Sequence, residues 1–295
     1  MSYANIATSR SWYKWITSKY KKMPELPEVY TMAEGLKTLI GRKISSVWAD
    51  KPNILRVVKK SEGRKILGVE RKGKNIVLNL DKGFSMLLHP KMTGRFLLNQ
   101  RDKYERIVFN LGSLRSPTPK SRLGSRTSDF LVFSDKRRFA KVAFMQTNEI
   151  QHEFSTIGPD ALDVSFKNFK SLINLKRKKI KQVLMDQGVV AGIGNIYADE
   201  ILWKAKVHPE RLANSLSDNE VQNIFQSMNF ILRKSIKLRG VSIQDYRDVF
   251  GKMGEYQNHC LVYGRAGEKC KRCDTEIKKI KLAQRSAHFC PRCQV

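Results

Sequence analysis

The sequence predicts an α+β protein with a β-rich first half, a mainly helical second half and a terminal metal-binding hairpin. Three observations predict it. Short β-rich runs recur between residues 44 and 145, helical periodicity replaces them after about residue 160, and four of the five cysteines fall within the last 26 residues. At 295 residues, 41% hydrophobic and with 14 Phe, the chain has the means to build about two ordinary cores.

Residues 1–22 carry Arg10, Lys14, Lys19, Lys21 and Lys22, five aromatics and no acid, and read as an appendage. Their basic character partly fits an organellar transit peptide; a DNA-contacting arm, an upstream in-frame start and a disordered tail are the competing readings. After Pro27, Val29, Met32, Leu36, Leu39 and Ile40 form one helical stripe that stops near Gly41. Strand-like runs follow at Ile44–Ala49, Ile54–Val58, Asn75–Leu80, Phe84–Leu88, Tyr104–Leu111, Asp129–Ser134 and Phe139–Met145, as expected of a β-sandwich or barrel. Between two of them, residues 112–128 are rich in Ser, Pro and Gly with four basic residues, which reads as a flexible hairpin insertion. A boundary is expected near 153–160. Beyond it, 180–185 and 196–205 read as short helices around a glycine-rich turn, with Asn195 as a cap for the second. Ser217-x-x-Glu220 is a capping box for a long helix whose buried face is Val221, Ile224, Phe225, Met228, Ile231 and Leu232. The domains are therefore expected at 23–152, 153–258 and 259–295.

Charge narrows the partner. Lys and Arg total 56 against 27 Asp and Glu, a net charge of +29, so a polyanion is the first partner to expect. Apolar runs such as Phe84–Leu88 are far too short to span a bilayer, which points away from a membrane protein. Cys270-x2-Cys273 and Cys290-x2-Cys293, 16 residues apart, have the spacing of a tetrahedral zinc site built on a hairpin; a redox pair is the competing reading. Reduced thiolates imply an intracellular setting. Cys260 stands outside the pattern as an ordinary buried thiol. The turn from Gly188 to Asn195 could offer backbone amides to a phosphate, and the lysines at 176–181 favour that over plain turn glycines. It fails as a dinucleotide fingerprint, because Tyr197 stands at the third glycine position.

Met23-Pro-Glu-Leu-Pro-Glu-Val29 resembles the amino terminus of the formamidopyrimidine-DNA glycosylases. Two further motifs agree in order and spacing: Asp186-Gln187 through Gly192-Ile-Gly-Asn-Ile-Tyr-Ala-Asp-Glu200 resembles the family's helix-two-turn-helix signature, and Val262-Tyr-Gly-Arg265, the four cysteines and Arg285 resemble its zinc finger. The resemblance covers residue 23 onward. It implies a two-layered β-sandwich with an N-terminal helix, beside a helical domain ending in a β-hairpin finger that holds structural zinc. It also implies a monomer that binds damaged double-stranded DNA in the intervening cleft, excises oxidised purines and cuts the abasic strand without a soluble cofactor.

Carried over position by position, Pro24 matches the amine nucleophile, Glu25 the acid that assists sugar-ring opening, and Glu28 a supporting carboxylate. Lys74, Asn195 and Arg285 match phosphate-binding residues. Met92 matches the side chain that fills the gap left by the flipped base, and Arg138 and Phe139 those that probe the opposite strand. Tyr30 stands where many members have an acid, Ala140 where glycine is usual, and Leu26 favours oxidised purines over oxidised pyrimidines. Pro24 is internal in the full chain, where its nitrogen is a tertiary amide unable to attack a sugar, so activity requires removal of everything before it. A chain that keeps those residues would be a catalytically silent, zinc-containing damaged-DNA binder. An RNA-associated zinc ribbon fits the charge and the cysteines but leaves Pro24 to Glu28 unexplained.

Overall fold

The structure, a computed structural model, describes residues 24–112, 129–242 and 246–295; the extension at 1–22 and nearly all of the expected insertion at 112–128 lie outside the described residues. Helix α1 (Leu26–Leu36) opens the described chain and continues as a 3₁₀ turn over Lys37–Leu39. Its burial stripe is the expected one apart from Ile40, which lies beyond the helix and is exposed.

Eight strands then form two antiparallel four-stranded sheets. The first sheet contains β1 (Ile44–Ala49), β5 (Gly94–Leu98), β6 (Glu105–Leu111) and β7 (Phe130–Asp135), in the order β1-β6-β7-β5. The second contains β2 (Ile66–Lys72), β3 (Asn75–Leu80), β4 (Phe84–His89) and β8 (Lys141–Gln146), in sequence order. Alternation places Ile76, Leu78, Met86 and Leu88 of the second sheet in one core with Phe96, Ile107, Phe109, Leu131 and Phe133 of the first, which is a two-layered sandwich.

Two expectations for this half need correction. Residues 54–58 are not a strand but part of helix α2 (Pro52–Val58), because Pro52 sets the first-turn φ and needs no hydrogen-bond partner there. Phe139 and Ala140 precede β8 in a turn instead of opening a strand. Strands β2 and β5 also went unread: β2 carries polar residues and Gly68 on its outward positions, and β5 is five residues starting at glycine.

Helix α3 (Thr147–Glu153) packs Ile150 against Val77 and Leu87 on the outer face of the second sheet. Helices α4 (Phe166–Asn174), α5 (Ile180–Met185), α6 (Asn195–Ala205) and α7 (Asp218–Lys237) build a separate core around Phe169, Leu184, Tyr197, Ile201 and Ile231. Ser217 and Glu220 form the expected capping box. The hairpin β9 (Lys278–Leu282) and β10 (Arg285–Phe289) completes the described fold. Helix α1 serves both cores, since Leu26 belongs to the helical one while Val29, Met32 and Leu36 belong to the sandwich. Its first turn is therefore set where the two halves meet. Among the described residues, no helix is long and apolar enough to cross a membrane.

Candidate active site and zinc finger

Glu25 is the N-cap residue of α1, but its carboxylate serves a different helix. It accepts hydrogen bonds from Gly194 N (2.8 Å), Ile196 N (2.9 Å) and Tyr197 N (3.3 Å), the free amides at the start of α6. The N-cap of α6 is thus Gly194 and not Asn195 as expected, and a carboxylate from the other half of the molecule takes those amides in place of a phosphate. Only glycine fits at 194, because a Cβ there would lie 2.3 Å from Glu25 Cδ. Burial raises the Glu25 pKa to about 7, although Lys74 and the backbone amides pull the other way.

Glu28, equally buried, accepts from Tyr197 OH (2.6 Å), Val241 N (2.7 Å) and Glu25 N (2.8 Å), and burial raises its pKa as well. Gly240, at φ +79°, lets the chain pass beside it. Pro24 is buried and immediately precedes Glu25 in the chain. Lys74, the second residue of the β2–β3 turn, donates to Ile193 O (2.8 Å) at the foot of the glycine turn, and burial lowers its pKa to about 8. Gln187 braces the same turn by donating to Ile193 O (2.8 Å) and accepting from Gly192 N (2.9 Å).

Glu25, Lys74, His89 and Arg285 line one cavity of about 430 Å³, together with Lys181 and Gln182 of α5. Arg285 reaches it from the finger, and burial lowers its pKa. Asn195 sits at the start of α6, with its Oδ1 buried and unpartnered and its side chain hydrogen-bonded to Tyr263. Met92, Arg138 and Phe139 form a second group on two turns tied together: Thr93 Oγ1 donates to Asp135, and Arg137 N donates to Thr93 Oγ1 (3.0 Å). Phe139 is 41% exposed and the Arg138 side chain 58%, while Met92 is half-buried. His89 joins the groups, lining the cavity at the end of β4 three residues before Met92. Its ring is held neutral, burial pushing its pKa well below the usual value. The sequence gives no role to Tyr197 or Val241 at the site, because their partner Glu28 lies 169 and 213 residues away and local pattern carries no trace of it.

The four finger cysteines fit a zinc ion. Their Sγ atoms all lie within 4.8 Å of one another, with pairs at 4.0, 3.5 and 3.2 Å. Tetrahedral thiolates at a Zn–S distance of about 2.3 Å stand roughly 3.8 Å apart. The metal is structural, since four protein ligands leave no open position. Trp203 Nε1 of α6 donates to Cys270 Sγ (3.4 Å), so a zinc ion held by the four thiolates would have an indole bonded to one of its ligands. Stripping zinc with a chelator is expected to shift Trp203 emission and loosen the finger together. A Trp203→Phe variant should lose the optical change and keep the loss of structure.

A β-sandwich and a helical domain that share one buried carboxylate site, followed by a four-thiolate finger, define a two-domain zinc-finger protein of the helix-two-turn-helix class. Residues 23–142 match the formamidopyrimidine-DNA glycosylase N-terminal domain, 157–247 the formamidopyrimidine-DNA glycosylase H2TH domain, and 267–295 the zinc finger found in FPG and IleRS. The chain is 37% identical to the formamidopyrimidine-DNA glycosylase of Herpetosiphon aurantiacus, covering 92% of this chain and 100% of that one. It is equally similar to the Lactococcus lactis subsp. cremoris protein, over 92% and 99%. The solved complex of Lactococcus lactis Fpg with abasic-site DNA superposes with a TM-score of 0.81 at 36% identity, over 92% and 99%. The same protein bound to DNA containing N7-benzyl-Fapy-dG gives 0.81 at 35%, with the same coverage. The chain belongs to the formamidopyrimidine-DNA glycosylase family.

Proposed function

We propose that this protein is a DNA glycosylase with abasic-site lyase activity that removes oxidised purines through a Schiff base on Pro24. The observation that carries this reading is Glu25: a buried carboxyl group with a pKa of about 7, next to Pro24, in a cavity that also holds Lys74 and Arg285. Such a carboxyl can exist as an acid at neutral pH and give its proton to the sugar-ring oxygen as the ring opens. The Pro24 nitrogen, once freed, bonds to the sugar C1′ as the base departs, leaving an iminium ion; loss of a 2′ proton then breaks the strand on the 3′ side. Glu28, fixed by Tyr197 and Val241, holds the Glu25 backbone and so the start of α1. Lys74, Asn195 and Arg285 bind phosphate, and Met92, Arg138 and Phe139 occupy and probe the duplex where the base has left. The excess of basic residues supplies the sequence-independent attraction to DNA. Leu26 favours oxidised purines over pyrimidines.

The test is strand scission by protein beginning at Pro24, on duplexes holding 8-oxoguanine or an oxidised pyrimidine. Cutting of the pyrimidine duplex alone would reverse the substrate assignment. Binding without cutting would favour the silent binder, a reading that rests on the peptide bond between Met23 and Pro24 in the full chain.

Lys74 supports a separate expectation. Lys74→Met should lower the slope of log affinity against log salt by about 0.9, the loss of one phosphate contact. It should also move the alkaline limb of the cleavage rate upward. The Lys74 cation favours the Glu25 carboxylate, so without it Glu25 keeps its proton to higher pH. A limb that stays in place would remove Lys74 from the acid's surroundings.

A further inference from the structure

Arg285 reaches the cavity from a hairpin that has its own metal-centred core, so its position depends on how that hairpin is fastened to the helical domain. Trp203 and Gln294 tie the cysteine turns to the helical domain, through Cys270 Sγ (3.4 Å) and Val207 O (2.9 Å), and two further side chains hold strand β10 itself. Lys181 of α5 donates to Ser286 O (2.5 Å), immediately after Arg285, and pairs with Asp199 Oδ1 of α6 (2.6 Å). The other oxygen, Asp199 Oδ2, accepts from His288 N (2.9 Å) and lies 3.0 Å from His288 Nδ1. Both side chains of the Lys181–Asp199 pair are fully buried. Strand β10 is thus held at residues 286 and 288, next to the residue that enters the cavity. Asp199 lies four residues after Asn195 on α6, so one helical face carries both Asn195 and the fastening of Arg285. A buried ion pair adds little net stability over apolar packing, and what this one provides is a fixed geometry.

We propose that Lys181 and Asp199 are positioning residues that lock β10 onto α6 and thereby set Arg285 at a DNA phosphate in register with Asn195. The proposal rests on the reading of this cavity as a DNA-repair site. It adds two residues that touch neither DNA nor the reacting atoms.

The experiment measures binding of the zinc-loaded chain beginning at Pro24 to a duplex with a tetrahydrofuran abasic site, across a salt series. Lys181→Met with Asp199→Leu removes both charges at once, so neither is left buried alone. Affinity is expected to fall roughly 10- to 100-fold, the loss of one charge-assisted phosphate contact, and the salt slope by about 0.9, with zinc content unchanged. Adding Arg285→Ala should then cost nothing more, because the contact is already lost. Unchanged affinity in the double variant, or losses that multiply when Arg285→Ala is added, would overturn the proposal. If the double variant fails to hold zinc, Asp199→Asn, which keeps the volume and an acceptor for His288 N, runs the same cycle with the same two outcomes. A parent protein that does not bind the abasic duplex would sink the repair reading and this proposal with it. Binding by the parent with a multiplicative cycle sinks the proposal alone.

Discussion

Protein that begins at Pro24 is expected to cut an 8-oxoguanine duplex and to be trapped on it by borohydride, whereas protein that keeps Met23 is expected to do neither. In the longer chain the Pro24 nitrogen shares its lone pair with the Met23 carbonyl, and planarity of that bond leaves nothing to give to carbon. Freed, it is a secondary amine whose bond to C1′ becomes an iminium ion when the base leaves, and borohydride adds hydride to that ion to give a stable cross-link. The predicted loss on retaining Met23 is on the order of 10⁴-fold or more in cleavage, the scale seen when a covalent nucleophile is removed. In both proteins Glu25, Glu28 and Lys74 have the same partners among the described residues: Gly194, Ile196, Tyr197, Val241 and Ile193. Mass spectrometry of the trapped peptide should place the modification on Pro24. Equal trapping of the Met23-bearing protein would mean that another amine does the chemistry, with Lys74, whose pKa is about 8, as the candidate to test.

Local pattern carried most of the architecture and little of the site's wiring. The sandwich was legible because short apolar, β-rich runs such as those of β3, β4, β6 and β7 mark strands without knowledge of the partner strand. The finger was legible from spacing alone, since two pairs of thiolates, each pair three positions apart on a turn, suit one tetrahedral ion. Helix α2 was misread because β-branched and aliphatic residues at 54–58 imitate a strand, and the deciding residue, Pro52, stands outside the run. At the site, the proline–glutamate motif drew notice through its residue types. Nothing local announces that Glu25 caps a helix beginning 170 residues later, or that Gly194 is glycine to admit that carboxylate. Asn195 was assigned the capping role for the same reason: a polar residue before a helical pattern is a good cap unless a distant acid has already taken the amides. Tertiary contact decided both cases.

Glu25→Gln is expected to abolish most cleavage and at the same time to flatten the dependence of stability on pH. Loss of the acid should lower the rate by about 10²- to 10⁴-fold. The stability effect follows from where the proton prefers to be. Glu25 has a folded pKa of about 7 against an ordinary value of 4.5, so the native state binds the proton more tightly than the unfolded chain does. Its contribution is therefore fully present below pH 4.5 and is lost as pH rises towards 7, by about 3 kcal/mol in total. In the parent Lys74 stays outside this window: its folded pKa is lowered to about 8, so its cost sets in as pH falls from 10.5 to 8 and is constant below that. In the variant Lys74 loses the carboxylate that raises its pKa, its step moves lower, and stability then rises with pH across that step, which flattens the slope further. Glu28 has the same sign as Glu25 and remains in the variant, which makes the difference between the two proteins, not the absolute slope, the quantity to measure. Denaturant titrations at pH 4.5 and pH 7.5 on both proteins give it directly. If the variant keeps the full slope, Glu25 is ionised across the whole range and cannot be the acid, and the lost cleavage would have to come from disturbed amides at the start of α6.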